Sequence, residues 1–207
     1  MKPGPLGGYA AQGGGKRSGN KLPPVLPGER GATERTKTMG YVRQQMSKFI
    51  SPKEAIKSAG TWSEAVGSGD IHLARAAADA NFDVILPVML PVEQEGNAGA
   101  KITSIDFYYT VATAALDAMD YCLLYKAEVQ ASGSPIGFSD EIESTLDEDH
   151  DTGAERITVG THKMTFTIDN PEIQENDEMI YVYLGVNAAA TSVFKLFGAR
   201  VHYELSL

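Results

Sequence analysis

The chain has 207 residues, of which 43% are hydrophobic, 22% charged and 8% aromatic, values that are typical of a globular protein and exclude wholesale disorder. The formal net charge of −9 is unevenly placed, because residues 1–60 carry 11 Lys/Arg against 3 Asp/Glu, whereas residues 61–207 carry 7 against 24. No apolar run reaches the roughly 18–20 residues of a membrane-spanning helix, the N-terminus lacks the apolar core of a secretory signal, and the single cysteine excludes an internal disulfide.

Residues 1–38 are basic, rich in glycine and proline, and poor in large apolar side chains. A segment of this composition buries too little apolar surface to offset its ordering entropy, so we predict an arm that is disordered alone or ordered by a partner. Its cations include Lys16, Arg17, Lys21, Arg30, Arg35 and Lys37. They can neutralise nucleic-acid phosphates, pair with the acidic part of a neighbouring subunit, or stay solvated. Because the charges are dilute, we favour the neighbouring subunit.

Residues 39–60 are predicted to form a short helical connector. Val42, Met46 and Ile50 recur at every fourth position, which indicates the apolar stripe of an amphipathic helix. A second helix start follows, with Ser51 as N-cap and Pro52 at the first helical position. We expect these one or two helices to dock on another surface.

Residues 61–207 show the two-residue periodicity of β-strands. The alternation is clearest at 105–111, 119–125, 164–168, 180–186 and 197–205. Shorter apolar runs predict further strands at 62–66, 82–86 and 156–159, and 70–81 is read as a strand although its alanines also allow a helix. No strand–helix–strand alternation appears, so a parallel sheet is disfavoured. We therefore predict an all-β domain, an antiparallel β-sandwich of the jelly-roll kind.

An acidic run in this domain predicts a possible metal site. Its candidate ligands are Asp147, Asp149, Asp151 and Glu155. Hard oxygen ligands at this spacing suit calcium, although Thr152 stands where an EF-hand loop needs glycine. The alternative is a solvated acidic loop between strands.

The remaining titratable residues form no catalytic motif. The four histidines, His72, His150, His162 and His202, lack metal-ligand spacing and adjoin no serine nucleophile motif. We expect His162 and His202 at solvent-facing strand positions, and Cys122 as a buried, unreactive thiol. The sequence therefore does not indicate an enzyme.

One strand presents an unusually apolar second face. Met179, Tyr181 and Tyr183 occupy the positions that alternate with the expected core residues, and Tyr108 is a similar outward candidate. An outward face of this kind indicates packing against another subunit, or against a further layer of the same chain.

A basic Gly/Pro-rich arm, a helical connector and an acidic β-sandwich together resemble virion structural proteins of the single jelly-roll type. Residues 101–126 and 197–207 carry the resemblance, which extends to phage head-decoration and fibre-attachment proteins. It implies a homo-oligomer in a virion or host cytoplasm, without a membrane, that assembles through its sandwich, meets other virion proteins and laces its neighbours with the arm. Two alternatives remain open: a calcium-assisted carbohydrate-binding module or hydrolase, and a nucleic-acid-packaging coat protein.

Overall fold

The computed structural model describes residues 43–67, 70–88, 90, 100–128, 140–174 and 178–206. Regular structure in these ranges is almost entirely β. The strands are β1 (Arg43–Ile50), β2 (Ile56–Lys57), β3 (Trp62–Gly67), β4 (Asp70–Arg75), β5 (Ala80–Val88), β6 (Ala100–Ala112), β7 (Ala118–Glu128), β8 (Asp140–Ile142), β9 (Ser144–Leu146), β10 (Gly160–Ile168), β11 (Ile173–Gln174), β12 (Glu178–Ala188) and β13 (Val193–Ser206). A 3-10 helix spans Pro52–Glu54 and a short helix, α1, spans Gly153–Arg156. Neither helical segment in the described ranges has the length and apolar character needed to cross a bilayer.

The strands form two antiparallel sheets. Sheet A has the order β3-β4-β13-β6-β10-β9, with β1 also paired to β13 and β11 to β6, and sheet B has the order β2-β5-β12-β7-β8. Strands β4, β5, β6 and β7 pair in turn with β13, β12, β10 and β8. Successive strands of the first half therefore pair with strands of the second half in reverse order. This is the strand order of a jelly roll, in which one long antiparallel ribbon is rolled into two sheets. The predicted antiparallel sandwich of this kind is confirmed.

The core lies between the two sheets and follows the alternation in the sequence. Phe107 of β6, and Val182 and Leu184 of β12, have no exposed area. Burying each such side chain contributes roughly 1.5–3 kcal/mol relative to leaving it in water. Because strand side chains point alternately to opposite faces, the residues between them face outward, and these outward residues form the surfaces of both sheets.

The predicted amphipathic helix over the first part of the connector is wrong. Residues 43–50 form β1, which pairs with β13 from Arg43↔Ser206 to Ile50↔Ala199. A four-residue apolar spacing is also a multiple of the strand period, so the pattern fits one side of a strand equally well. The free edge of β13 offers backbone hydrogen bonds along eight residues, whereas an isolated helix this short is marginal in water.

The smaller predictions have mixed outcomes. The helix start at Ser51 is confirmed as a single 3-10 turn, in which the Ser51 hydroxyl accepts from the Lys53 backbone N–H at 3.3 Å. The strand predicted at 156–159 is wrong, because Glu155 accepts hydrogen bonds from the backbone N–H and hydroxyl of Thr152 and closes the first turn of α1 there. The strand expected at 62–66 is confirmed as β3. The strand expected at 70–81 is confirmed only over 70–75, which form β4, because 76–79 are not strand and 80–81 begin β5.

Candidate functional site

The outer face of sheet B carries a continuous apolar surface. The odd-numbered residues of β12 point away from the core, as do their cross-strand neighbours on β5 and β7. We call this surface the tyrosine face; it comprises Ile56, Ile85, Pro87, Tyr121, Leu123, Tyr125, Met179, Tyr181 and Tyr183. Tyr121 is 56% exposed and Ile56 is 58% exposed, so the face is open to solvent at two of its margins.

Tyr183 organises the aromatic rings of this face. Its ring centroid lies 6.3 Å from that of Tyr121 and 6.0 Å from that of Tyr125, in tilted and edge-on geometry. Its hydroxyl donates to Asp83 Oδ1 at 2.9 Å. Burial, reinforced by the hydrogen bond and charge of Asp83, raises the pKa of Tyr183 to about 12. Gly185 leaves the space that Tyr121 fills, because a Cβ there would stand 2.8 Å from the Tyr121 ring.

The structure brings together some of the predicted interface residues and separates others. Met179, Tyr181 and Tyr183 lie together on the tyrosine face, although Tyr181 is only 8% exposed and its hydroxyl contacts the Met179 sulfur at 3.4 Å. Tyr108 lies on the outer face of sheet A, on the opposite side of the sandwich. Ile50 is 1% exposed and belongs to the core of its own chain, which corrects its predicted role at an interface.

The other connector residue that the structure describes, Met46, is 37% exposed on the edge strand β1, where it pairs with Tyr203. The remaining predicted residues lie outside the described ranges, so the structure places none of them. These are Val42 and the arm cations Lys16, Arg17, Lys21, Arg30, Arg35 and Lys37.

The outer face of sheet A holds a polar cluster around Asp106, a carboxylate that is only 6% exposed. It lies 3.1 Å from His202 Nε2 and 3.5 Å from Lys163 Nζ, and it accepts from the hydroxyls of Thr165 at 2.9 Å and Tyr108 at 3.3 Å. Burial raises the pKa of Asp106, but the hydrogen bonds from His202 and Thr165 and the charges of Lys163 and His202 outweigh it and hold that pKa below its ordinary value. The partners come from three strands, so sequence spacing carried no signal for this cluster.

Three of the four acidic residues predicted to bind calcium line one surface depression, but they do not converge into a metal cluster. These three are Asp147, Asp149 and Glu155. Asp147 turns toward β10, where one of its oxygens accepts the backbone N–H of Thr165. Glu155 closes the first turn of α1, while Asp149 and Asp151 are exposed. Among the described residues, no three carboxylate, imidazole or thiol groups form a ready-made metal cluster. The calcium site therefore stays a prediction.

The same loop brings two histidines into contact. His150 Nε2 lies 3.2 Å from His162 Nδ1. The other nitrogen of His150, Nδ1, lies 2.6 Å from Asp147 Oδ1, and the other nitrogen of His162, Nε2, lies 2.9 Å from the Thr158 carbonyl oxygen. His150 is 7% exposed, and the half-buried His162 ring stacks on Tyr109 with centroids 4.7 Å apart. The prediction that His162 faces solvent is wrong, because it lies on the inner side of β10.

Cys122 lies among the buried core residues of β7, as predicted. Burial raises the pKa of its thiol, which disfavours the reactive thiolate. The Arg156 guanidinium acts in the opposite direction on that pKa, but burial outweighs it.

Comparisons with known proteins give little to set beside this geometry. No protein-family model and no curated protein matches the chain. A solved structure described as "CBM4 structure and function" is similar over 75% of this chain and 94% of its own, with 13% sequence identity and a TM-score of 0.34. At that level the likeness bears neither on the detailed topology nor on the function.

Proposed function

We propose that this chain is a non-enzymatic assembly protein, a capsid or other virion component whose copies join through the tyrosine face. The observation that carries the proposal is the apolar outer face of sheet B, where Tyr121 and Ile56 are more than half exposed. The outward residues between these two are half-buried or, like Tyr181, buried. Exposed apolar side chains at the margins of an apolar face favour an interaction site, because leaving them in water forgoes their burial energy.

The composition of the face favours a protein partner. Between the rings lie Ile85, Leu123 and Met179, side chains that contribute to binding by apolar burial alone. The hydroxyls of Tyr181 and Tyr183 are already engaged within the face. Protein interface cores have this aromatic and methionine-rich character, with charged groups at the rim.

The size of the face explains why an arm is needed. Four strands carry the face, and at a spacing of about 4.8 Å and over at most seven residues of about 3.3 Å each they give at most roughly 440 Å² of flat area. A stable interface buries roughly 800 Å² per partner, so sheet contact alone gives a weak association. An extended segment of 38 residues reaches up to roughly 125 Å and can supply the remaining contact on a neighbour. The basic residues 1–60 of one copy attract the acidic residues 61–207 of another.

The test is the particle mass of the tag-free chain in solution, measured by light scattering across a range of concentrations. We expect a large assembly, and we expect Tyr121→Asp to weaken association at least ~30-fold, because burying an unpaired charge at an interface costs about 2 kcal/mol or more. Val66→Asp is the matched control, since Val66 is 84% exposed but lies on β3 of sheet A. A wild-type monomer at all concentrations, or equal loss in both variants, would contradict the proposal.

The arm is tested separately by deleting residues 1–38. We expect a folded body with wild-type circular dichroism that assembles poorly, and assembly that weakens as salt screens the charges. Unchanged particle mass would refute the role of the arm. Salt-dependent binding of nucleic acid that disappears with the arm would instead support the packaging-coat alternative.

A carbohydrate-binding module is a second candidate, supported by a small depression at the edge of the tyrosine face. The depression has a volume of about 140 Å³ and is lined by Tyr121, Tyr183, Asp83, Asp120 and Asn81, among others. Aromatic rings beside carboxylates and amides suit the faces and hydroxyls of a sugar. Oligosaccharide binding by the monomer, measured by calorimetry and lost in Tyr121→Ala, would favour this function over assembly.

A further inference from the structure

The hydrogen-bond partners of the two contacting histidines determine where their protons lie. The Thr158 carbonyl oxygen can only accept, so the His162 Nε2 that lies 2.9 Å from it must carry a hydrogen. In neutral imidazole the other nitrogen is then an acceptor. His162 Nδ1 therefore presents a lone pair toward His150.

The same reasoning holds for His150. Its Nδ1 lies 2.6 Å from Asp147 Oδ1, and a carboxylate accepts, so this nitrogen is the donor. Neutral His150 then also presents a lone pair at Nε2. The two lone pairs face each other at 3.2 Å, an arrangement that repels unless a cation lies between them. A proton is one such cation, and a metal ion is the other.

We propose that His150 Nε2 and His162 Nδ1 bind a divalent transition-metal ion of the zinc class. Two nitrogens bound tetrahedrally at 2.0–2.1 Å stand roughly 3.3–3.4 Å apart, which is close to the 3.2 Å between these two atoms. Histidines that ligate metals donate their other N–H to a carboxylate or backbone carbonyl. Asp147 and Thr158 are such partners.

The surroundings favour a nitrogen-preferring metal with open coordination positions. Asp149, Glu155 and Lys163 line the same surface depression as the two histidines, and no third ligating group of the described residues joins the pair, so water completes the coordination. Imidazole suits zinc, copper and nickel, whereas calcium takes oxygen ligands. The ion would fasten the acidic loop to β10, because the two histidines lie on either side of α1.

The rings are already held in place before any ion binds. His150 is more than nine-tenths buried, and the His162 ring is held against Tyr109 at an interplanar angle of 10°. A site whose ligands are fixed by packing loses little conformational entropy on binding.

The experiment is a calorimetric titration of Zn²⁺ alone into the tag-free full-length chain, repeated with Co²⁺ and read by visible absorption. We expect one ion per chain, loss of binding in His162→Gln, and about 10–100-fold weaker binding in Asp147→Asn, which keeps the ligands but changes the group that orients one of them. His202→Gln is the matched control, because His202 bonds Asp106 on the outer face of sheet A and should bind Zn²⁺ as the wild type does.

Circular dichroism and thermal melts of the metal-free variants show whether each is folded, and His162→Gln keeps an amide that can still donate to Thr158. Zn²⁺ binding of wild-type strength in folded His162→Gln would overturn the proposal. So would the absence of binding to the wild type at millimolar Zn²⁺, which would mean that the two nitrogens share a proton.

Discussion

Asp106 offers a direct test of whether the charged cluster on sheet A stabilises the fold. Asp106→Asn keeps the shape of the side chain. The amide oxygen of the asparagine can face His202 and Lys163, and its NH₂ group can donate to the Thr165 hydroxyl, because a hydroxyl accepts as well as donates. What disappears is the negative charge. Hydrogen bonds to a charged group contribute roughly 1.5–3 kcal/mol, against roughly 0.5–1.5 kcal/mol for neutral pairs, so we expect a loss of about 1–2 kcal/mol at pH 7.

The pH dependence makes this prediction specific. Because the pKa of Asp106 is held below its ordinary value, its contribution is present above the unfolded pKa of about 3.9 and is lost as pH falls through the lower folded pKa. Thermal melts should therefore show a Tm deficit of about 2–8 °C for Asp106→Asn at pH 7 that closes as the solution is acidified below pH 3. Asp79→Asn, on an exposed turn, is the control. An equal deficit at both pH values would refute the reasoning.

Two further predictions concern single positions in the fold. Gly198 has a φ of +108°, and a Cβ there would stand 2.2 Å from the Ile50 carbonyl oxygen, so Gly198→Ala should cost about 3 kcal/mol or more in urea unfolding. Gly153→Ala, with open space around it, should change stability by less than about 0.5 kcal/mol, and equal effects would contradict the packing argument. Tyr183 ionises near pH 12 in the folded chain but near pH 10 when unfolded, so stability should fall between those values as the unfolded state releases the proton first. Tyr183→Phe should flatten that part of the pH–Tm curve, and an unchanged slope would show that another group is responsible.

The candidate sites were predictable only where they followed a strand pattern. Met179, Tyr181 and Tyr183 stood out because they alternate along one strand, and the structure places them on one face. Tyr121, Tyr125 and the aliphatic residues of that face come from neighbouring strands, and register decides which of them meet. The alternation along one segment determines which face each residue occupies, but it does not distinguish registers that differ by two residues.

The Asp106 cluster and the His150–His162 pair were even less predictable from the sequence. His150 and His162 are twelve residues apart with a helical turn between them, and His202 reaches Asp106 across 96 residues. Neither distance corresponds to a local spacing that metal-site or catalytic motifs use. A long-range hydrogen bond of this kind arises only once strand pairing is set.

The sequence by itself determined that this chain folds as an antiparallel sandwich, because alternation of apolar and polar residues is a local property that selects strands and assigns each residue to a face. It also determined that residues 1–60 are basic and residues 61–207 acidic, since charge is read directly from composition. Only the tertiary structure decided that residues 43–50 form a strand, because their apolar spacing suits helix and strand alike and the free edge of β13 selects the strand. The same structure decided which outward residues become neighbours, and so where the tyrosine face and the histidine pair lie.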